Sequence, residues 1–153
     1  MAFKSREKVR QFAQTRGVEL NEYGNEGFWT SEGSTIVYIE FSDFNKSDEM
    51  ISVYSVVVRN VRVDSTLMSK LLKLNTEFNF GGFGLIDDII IYRYSLLGGN
   101  HVDIDEFFNA LAMVALVADE YDNKIISTHG GVTGVDFLTE AIRQKEGTTI
   151  AQW

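Results

Sequence analysis

ISVYSVVVRNV, residues Ile51–Val61, is the stretch on which the fold turns. β-Branched and aromatic residues dominate it, and such residues favour the pleated, packed surface of a strand. Read with a period of two, one face carries Ile51, Val53, Ser55 and Val57. The other carries Ser52, Tyr54, Val56, Val58 and Asn60. Both faces are largely apolar, so this strand does not behave like one with a single wet side. It reads as a central strand that is covered on one face and open to a partner, or covered again, on the other.

Upstream, STIVYIEF (Ser34–Phe41) has the same strand composition, and the polar run Asn45–Glu49 supplies a turn before Ile51. Leu20–Thr30, glycine-punctuated and aromatic, reads as a first strand with turns. A helix over residues 2–16 precedes it, with Val9, Phe12, Ala13 and Arg16 on one stripe and Gly17 as its stop signal. Downstream, Asp64 can cap a second helix, along which Leu67, Leu71, Leu74 and Phe78 share a face with Met68 and Leu72 beside them. NFGGFG (Asn79–Gly84) ends that helix. Phe83–Ile86 and Ile89–Leu96 predict a hairpin around Asp87–Asp88, with Ile89, Ile91 and Arg93 opposing Ile90, Tyr92, Tyr94 and Leu96. Asp103, with Glu106 three residues on, makes a capping-box-like start for a long third helix to about Asn123. A short fourth helix, about Val135–Lys145, follows the glycine loop Gly130–Gly134.

The predicted order is helix, three strands, helix, two strands, helix, and a short C-terminal helix. Short connections make the strand pairs antiparallel. The expected class is α+β, a twisted antiparallel sheet with helices mainly on one face. With 153 residues and no linker-like composition, one domain over residues 1–153 is expected.

Composition narrows the function. There are 22 acidic and 14 basic residues, a net charge of −8, and neither cysteine nor proline. Without thiols, disulfides, thiolate metal sites and cysteine nucleophiles are excluded. A negative field opposes phosphate backbones, so no nucleic acid is expected as a partner. The longest apolar run, Ala110–Ala118, falls short of the roughly 20 residues of a spanning helix, and residues from Lys4 onward lack a secretory apolar segment. No membrane partner and a cytoplasmic location are therefore expected. Charge is uneven: residues 1–16 carry a net +4, from Lys4, Arg6, Lys8, Arg10 and Arg16 against Glu7. Such a helix can dock on the acidic body, dock on another copy, or remain a solvated face.

The sequence carries no recognisable catalytic motif. His101 in HVDIDE precedes Asp103, Asp105 and Glu106, an alternation able to place metal ligands on one side of an extended segment. The same acids suit a helix N-terminus, which is the favoured reading, and no metal or cofactor is expected. His129 in THGGVTG lies in a loop that could cradle an anion but lacks the lysine and strand of a P-loop, and reads as a flexible connector. GGFG (Gly81–Gly84) follows a helix, the wrong order for a dinucleotide fingerprint. Asp87–Asp88 reads as a turn and not as a catalytic carboxylate pair. No nucleophile elbow is present, and the chain is read as not an enzyme.

Binding surfaces are more legible. For an exposed sheet face the candidate partner-binding residues are Tyr38, Tyr54, Val56, Tyr92 and Tyr94. On the third helix Phe107, Leu111, Val114, Ala118 and Tyr121 form one stripe, while Met113, Leu116 and Val117 lie off it. A helix apolar around most of its circumference is buried on more than one side, so these three are the candidate homodimer interface. Asp119, Glu120 and Asp122 end the helix against its dipole and read as an acidic surface.

From Ile51 to Lys124 the chain resembles the YbjN-like proteins, which share a fold with type III secretion chaperones. The resembling segments are ISVYSVVVRNV, LLKLNTEFNFGGFGL (Leu71–Leu85), DDIIIYRYSLL (Asp87–Leu97) and DIDEFFNALAMVALVADEYDNKI (Asp103–Ile125). Asn75, the Phe80–Gly82 turn and the ADEYD helix end are the matching points. The segment Ser127–Trp153 has no counterpart. The resemblance implies a chaperone-like α+β fold, a tendency to dimerise, and a role in holding protein segments over apolar patches without ATP. It supplies no catalytic residues. The expected function is therefore a non-enzymatic protein- or peptide-binding module. The alternatives are a small-molecule or ion-responsive regulatory domain, using His101 with Asp103 and Asp105 or the His129–Gly134 loop, and a structural subunit built around the third helix.

Overall fold

The computed structural model of the chain describes residues 3–135. Its elements are α1 (Lys4–Arg16), β1 (Asn21–Tyr23), β2 (Gly27–Glu32), β3 (Thr35–Asp43), β4 (Glu49–Arg59), α2 (Ser65–Asn75), β5 (Gly82–Ile86), β6 (Ile89–Leu97), a short 3-10 turn at Gly99–His101, α3 (Ile104–His129) and β7 (Val132–Thr133). The class is α+β, as the sequence predicts. The strands form one antiparallel sheet in the order β1-β2-β3-β4-β6-β5, with β7 added against β4. The predicted helix Val135–Lys145 lies outside the described residues except for Val135.

Three differences from the expected layout have clear causes. The first predicted strand is a hairpin, β1 and β2, because Gly24 adopts a positive φ of 61° and turns the chain before Tyr23 pairs with Gly27. Helix α3 runs past Asn123 to His129, since Ile125 is buried in the core. Arg62 also satisfies its last carbonyls, donating from its guanidinium to Thr128 O at 2.9 Å and from its backbone N–H to His129 O at 2.9 Å. The loop read as a flexible connector is instead tied into the sheet: Val132 and Thr133 pair with Arg59 and Val58.

Strand β4 departs from strict alternation. Val56 opposes Ile91 and Val58 opposes Ile90, so Val57 is an extra residue in a β-bulge. The bulge shifts the face, and Val57 and Val58 both enter the same core. That core gathers Val9, Leu67, Leu71, Phe107, Leu111 and Val114 from the helices against Val37, Ile39, Ile51, Val53, Ile90 and Tyr92 from the sheet. Fully burying one such aliphatic side chain stabilises by about 1.5–3 kcal/mol, so this face dominates the folding energy.

Helix caps come from near and far. Asp64 accepts from Leu67 N and Asp103 from Glu106 N, both at 2.8 Å, as the sequence predicts. Helix α1 has no side-chain cap of its own. Glu49 at the start of β4 does that work, accepting from Ser5 N at 2.8 Å and Lys4 N at 3.1 Å. The basic helix docks on its own acidic body. Arg6 reaches Glu22 at 2.6 Å, Arg10 reaches the same carboxylate at 3.6 Å, and Arg16 pairs with Asp105.

Candidate functional site

The sheet has a second apolar face, away from the described helices. Tyr38, Tyr54, Val56, Ile89 and Ile91 form a separate cluster there, flanked by Tyr23, Trp29, Ile36 and Ile86. No described helix contributes a residue to it. Register explains its composition. Tyr38 lies opposite Tyr54, Tyr54 opposite Arg93, and Val56 opposite Ile91, so these side chains share one side of the sheet. The Tyr38 and Tyr54 rings stack with centroids 5.3 Å apart, and Tyr23 stands 4.9 Å from Tyr38. Tyr54 Oη donates to Glu40 Oε1. Burial pushes the Tyr38 and Tyr54 hydroxyls well above the usual tyrosine range, and the Glu40 carboxylate adds to the effect at Tyr54. Both stay protonated and neutral.

Strand β5 forms one edge of the sheet, and that edge is partly closed. Phe83 N–H donates to Asn75 Oδ1 at 2.7 Å, and Asn75 Nδ2 donates to Phe83 O at 3.1 Å. The side-chain amide thus occupies the place where a partner strand's peptide group would pair. Gly81 makes the approach possible. It has a φ of 74°, and a Cβ there would lie 2.7 Å from Arg93 O. Tyr92 Oη anchors the same turn by donating to Phe80 O. Two residues beyond Phe83, Leu85 repeats the outward orientation with its side chain 36% exposed.

The model of the family "T3SS (YopN, CesT) and YbjN peptide-binding chaperone 1", TY-Chap1, matches residues 15–136. The chain belongs to this family. Among solved structures, the TY-Chap1 chain is similar to YbjN from E. coli, described there as a candidate transcription regulator. The two share 15% identity with a TM-score of 0.52, covering 77% of this chain and 91% of that one. This likeness supports the chaperone-like fold. A search of curated proteins found no match.

The TY-Chap1 sheet divides the residues expected on the open face. Tyr38, Tyr54 and Val56 are together on the second face, but they are buried, with exposures of 1%, 5% and 5%. Tyr92 and Tyr94 are on the helix side. Tyr92 packs edge-on against Phe78 and Phe83 within the main core, and Tyr94 packs against that core and stacks on Phe80. Alternation along β6 puts them there, opposite Ser55 and Val53.

The expected dimer residues are divided too. Val117 is 3% exposed and belongs to the chain's own core, Met113 packs half-buried beside it, and Leu116 alone is presented outward, at 64%. The three positions share a broad arc of the helix with Met113 between the other two, and Val117 at the core edge of that arc leaves Leu116, about 100° away, outward.

The histidines serve the scaffold. His101 Nε2 meets Asp48 Oδ1 at 3.1 Å, Asp103 caps α3, and Asp105 pairs with Arg16, so the three are drawn to different partners. Among the described residues no three of His, Cys, Asp and Glu converge as a metal site. His129 is buried, with Nε2 3.0 Å from Asp64 Oδ1 and Nδ1 2.8 Å from Thr128 Oγ1. Leu67 N–H above all, and then His129, hold the Asp64 carboxyl below the usual range. This arrangement joins the end of α3 to the start of α2. Thr128 Oγ1 is also within reach of Lys124 O and Ile125 O, the back-bonding of a helix hydroxyl. Among the described residues, no helix is long and apolar enough to cross a membrane.

The sequence reading missed Asn75 as an edge residue. An asparagine closing a helix just before a glycine turn and a strand is the available signal, and only the folded turn shows that its amide reaches Phe83.

Proposed function

We propose that this TY-Chap1 chain is a non-enzymatic holder of extended protein segments, and that it receives them on the second sheet face around Tyr38, Tyr54 and Val56. The observation that carries the reading is the second apolar cluster, whose described members are all sheet residues on the side away from the described helices. Aromatic rings give broad apolar contact at low entropic cost, while Glu40 and Arg93 beside Tyr54 offer polar contacts to a partner backbone. The family description supports a peptide as the ligand class. The strand β5 edge is the weaker docking choice because Asn75 already occupies its Phe83 position. A homodimer would pair through α3 around Leu116, in the cytoplasm as the acidic, cysteine-free composition favours.

The test is capture of labelled extended peptides, read by fluorescence anisotropy, together with suppression of aggregation of an unfolded client without ATP. Wild-type protein is expected to bind apolar and aromatic peptides. Val56→Asp, on the second face, should lose capture by at least about tenfold, the loss expected from desolvating a new charge. Ser69→Asp, at an exposed position of α2, is the control away from that face. Equal capture by the Val56→Asp protein and wild type, with both folded by circular dichroism, would sink the assignment.

A further inference from the structure

We propose that the open half-edge of β2, at Thr30–Glu32, anchors the basic end of an extended partner segment. The inference takes from the preceding reading only that the partner is an extended segment, and adds a second contact and the partner's charge.

The edge comes from an interrupted ladder. β1 pairs with β2 only over Gly27–Trp29, so along Thr30–Glu32 the strand has β3 on one side and no strand on the other. Continued register would place Glu19 opposite Ser31. The Thr30 hydroxyl instead donates to Glu19 O at 2.8 Å and draws that carbonyl away. Ser31 faces the gap this leaves. Glu32 and Thr35 close the two-residue turn Gly33–Ser34, in which Gly33 takes a positive φ of 62°. The closing pair of such a hairpin exchanges hydrogen bonds, so its neighbour Ser31 points N–H and C=O outward. Ile36 O, across from Ser31, is turned the other way and accepts from Ser55 Oγ at 2.8 Å.

Space lies in front of this edge. A cleft of about 540 Å³ opens there, with Val18 and Glu19 on one wall and Trp29, Ser31 and Glu32 on the other. Trp29 and Ser31 come from one face of β2 and Glu32 from the other, as an edge site requires. Gly17, in the left-handed conformation that ends α1, turns the chain to make the far wall.

Charge selects the occupant. Glu19 and Glu32 line the cleft, and no described lysine, arginine or histidine does. Glu22 and Asp105 are each paired with an arginine of α1, whereas Glu19 and Glu32 have no cationic partner among the described residues. Asp119 adds to the negative field at the hairpin turn, where it accepts from Ser34 Oγ at 3.1 Å. At this edge a second copy, with a net charge of −8 and α1 arginines already paired, is the poorer match. An extended segment entering the cleft pairs one peptide group with Ser31. Its lysine or arginine then meets Glu19 or Glu32, and an apolar neighbour rests on Val18 and Trp29.

The test uses the full chain and two labelled peptides with the same apolar centre, one ending in two lysines and the other in two glutamates. Trp29 and Trp153 are the two tryptophans, so a Trp153→Phe background makes Trp29, in the cleft wall, the reporter. The lysine peptide should bind about threefold to tenfold tighter than the glutamate peptide, the gain from two exposed ion pairs. Its binding should also shift Trp29 emission further. The difference in affinity should shrink between about 0.02 M and about 0.5 M salt. Glu19→Gln with Glu32→Gln should erase both differences while capture of the apolar centre remains. N-methylation at the lysine end of the peptide should weaken its binding, because it removes the N–H that Ser31 O accepts. Equal affinity for the two peptides, or a preference that survives the glutamine pair, overturns the inference and leaves the holder reading standing. Capture of neither peptide refutes that reading, and the inference with it. Trp29 emission that changes with protein concentration alone makes a second copy the occupant, which also overturns the inference.

Discussion

Replacing Asn75 with alanine removes both hydrogen bonds that its amide makes to Phe83. Each bond contributes about 0.5–1.5 kcal/mol net, so the direct loss is about 1–3 kcal/mol. Alanine is the better helix former by about half a kcal/mol, and Asn75 is the last residue of α2, so propensity returns a little. The hydrogen-bond term wins, and a net destabilisation of about 0.5–2.5 kcal/mol is expected. For a chain of this size that lowers Tm by about 2–4 °C per kcal/mol. Urea unfolding measures it as a lower midpoint at unchanged slope. The local reading comes from amide exchange: the Phe83 N–H should lose protection far more than the Ile90 N–H deep in the sheet. Asn75→Asp sharpens the test. It keeps an acceptor for the Phe83 N–H but sets a carboxylate oxygen against the Phe83 carbonyl, so it should be at least as destabilising as alanine. With the edge uncovered, concentration-dependent self-association is also expected. A midpoint within error of wild type, with Phe83 exchange unchanged, would refute the view that Asn75 closes this edge.

Two further outcomes are expected. Glu49 and Asp64 both hold their carboxyls below the ordinary range. At Glu49 burial pulls upward but is outweighed by the Ser5 hydroxyl and the Ser5 and Lys4 backbone N–H groups. At Asp64 the Leu67 N–H dominates. A depressed folded pKa gives stability that is complete above the unfolded value near 4 and is lost as pH falls through the folded value. Thermal unfolding followed from about pH 6 to about pH 2 should therefore show Tm falling in the acid limb, and Glu49→Gln should flatten that limb; a parallel curve would contradict the assignment. Leu116→Glu on α3 should leave the monomer fold intact, since its side chain is 64% exposed, and should shift any monomer–dimer equilibrium seen by light scattering toward monomer. An unchanged mass at every concentration for both proteins would remove α3 as an interface.

Much of this protein is readable without coordinates. Strand composition in Ile51–Val61, the caps at Asp64 and Asp103, the stop at Gly17 and the turn at Asp87–Asp88 are local signals, because each depends on a few neighbouring residues and their backbone preferences. Together they define the α+β class. The family resemblance added the chaperone-like fold, because the fold-forming segments were themselves intact. What could not be read depends on pairing across the chain. A single extra residue at Val57 moves Val58 to the helix side, and periodicity carries no mark of a bulge. Tyr92 and Tyr54 look alike as strand tyrosines, yet register puts one among Phe78 and Phe83 and the other beside Arg93. Val117 and Leu116 are neighbours in an apolar helix, and only packing decides which is core. Glu49 caps a helix 44 residues away, and Asn75 closes a strand edge across a glycine turn. The sequence by itself determined which elements form, since propensity, capping and turn chemistry are local. The tertiary structure decided which faces are covered and which residues meet, since those follow from long-range register and from the burial that it imposes.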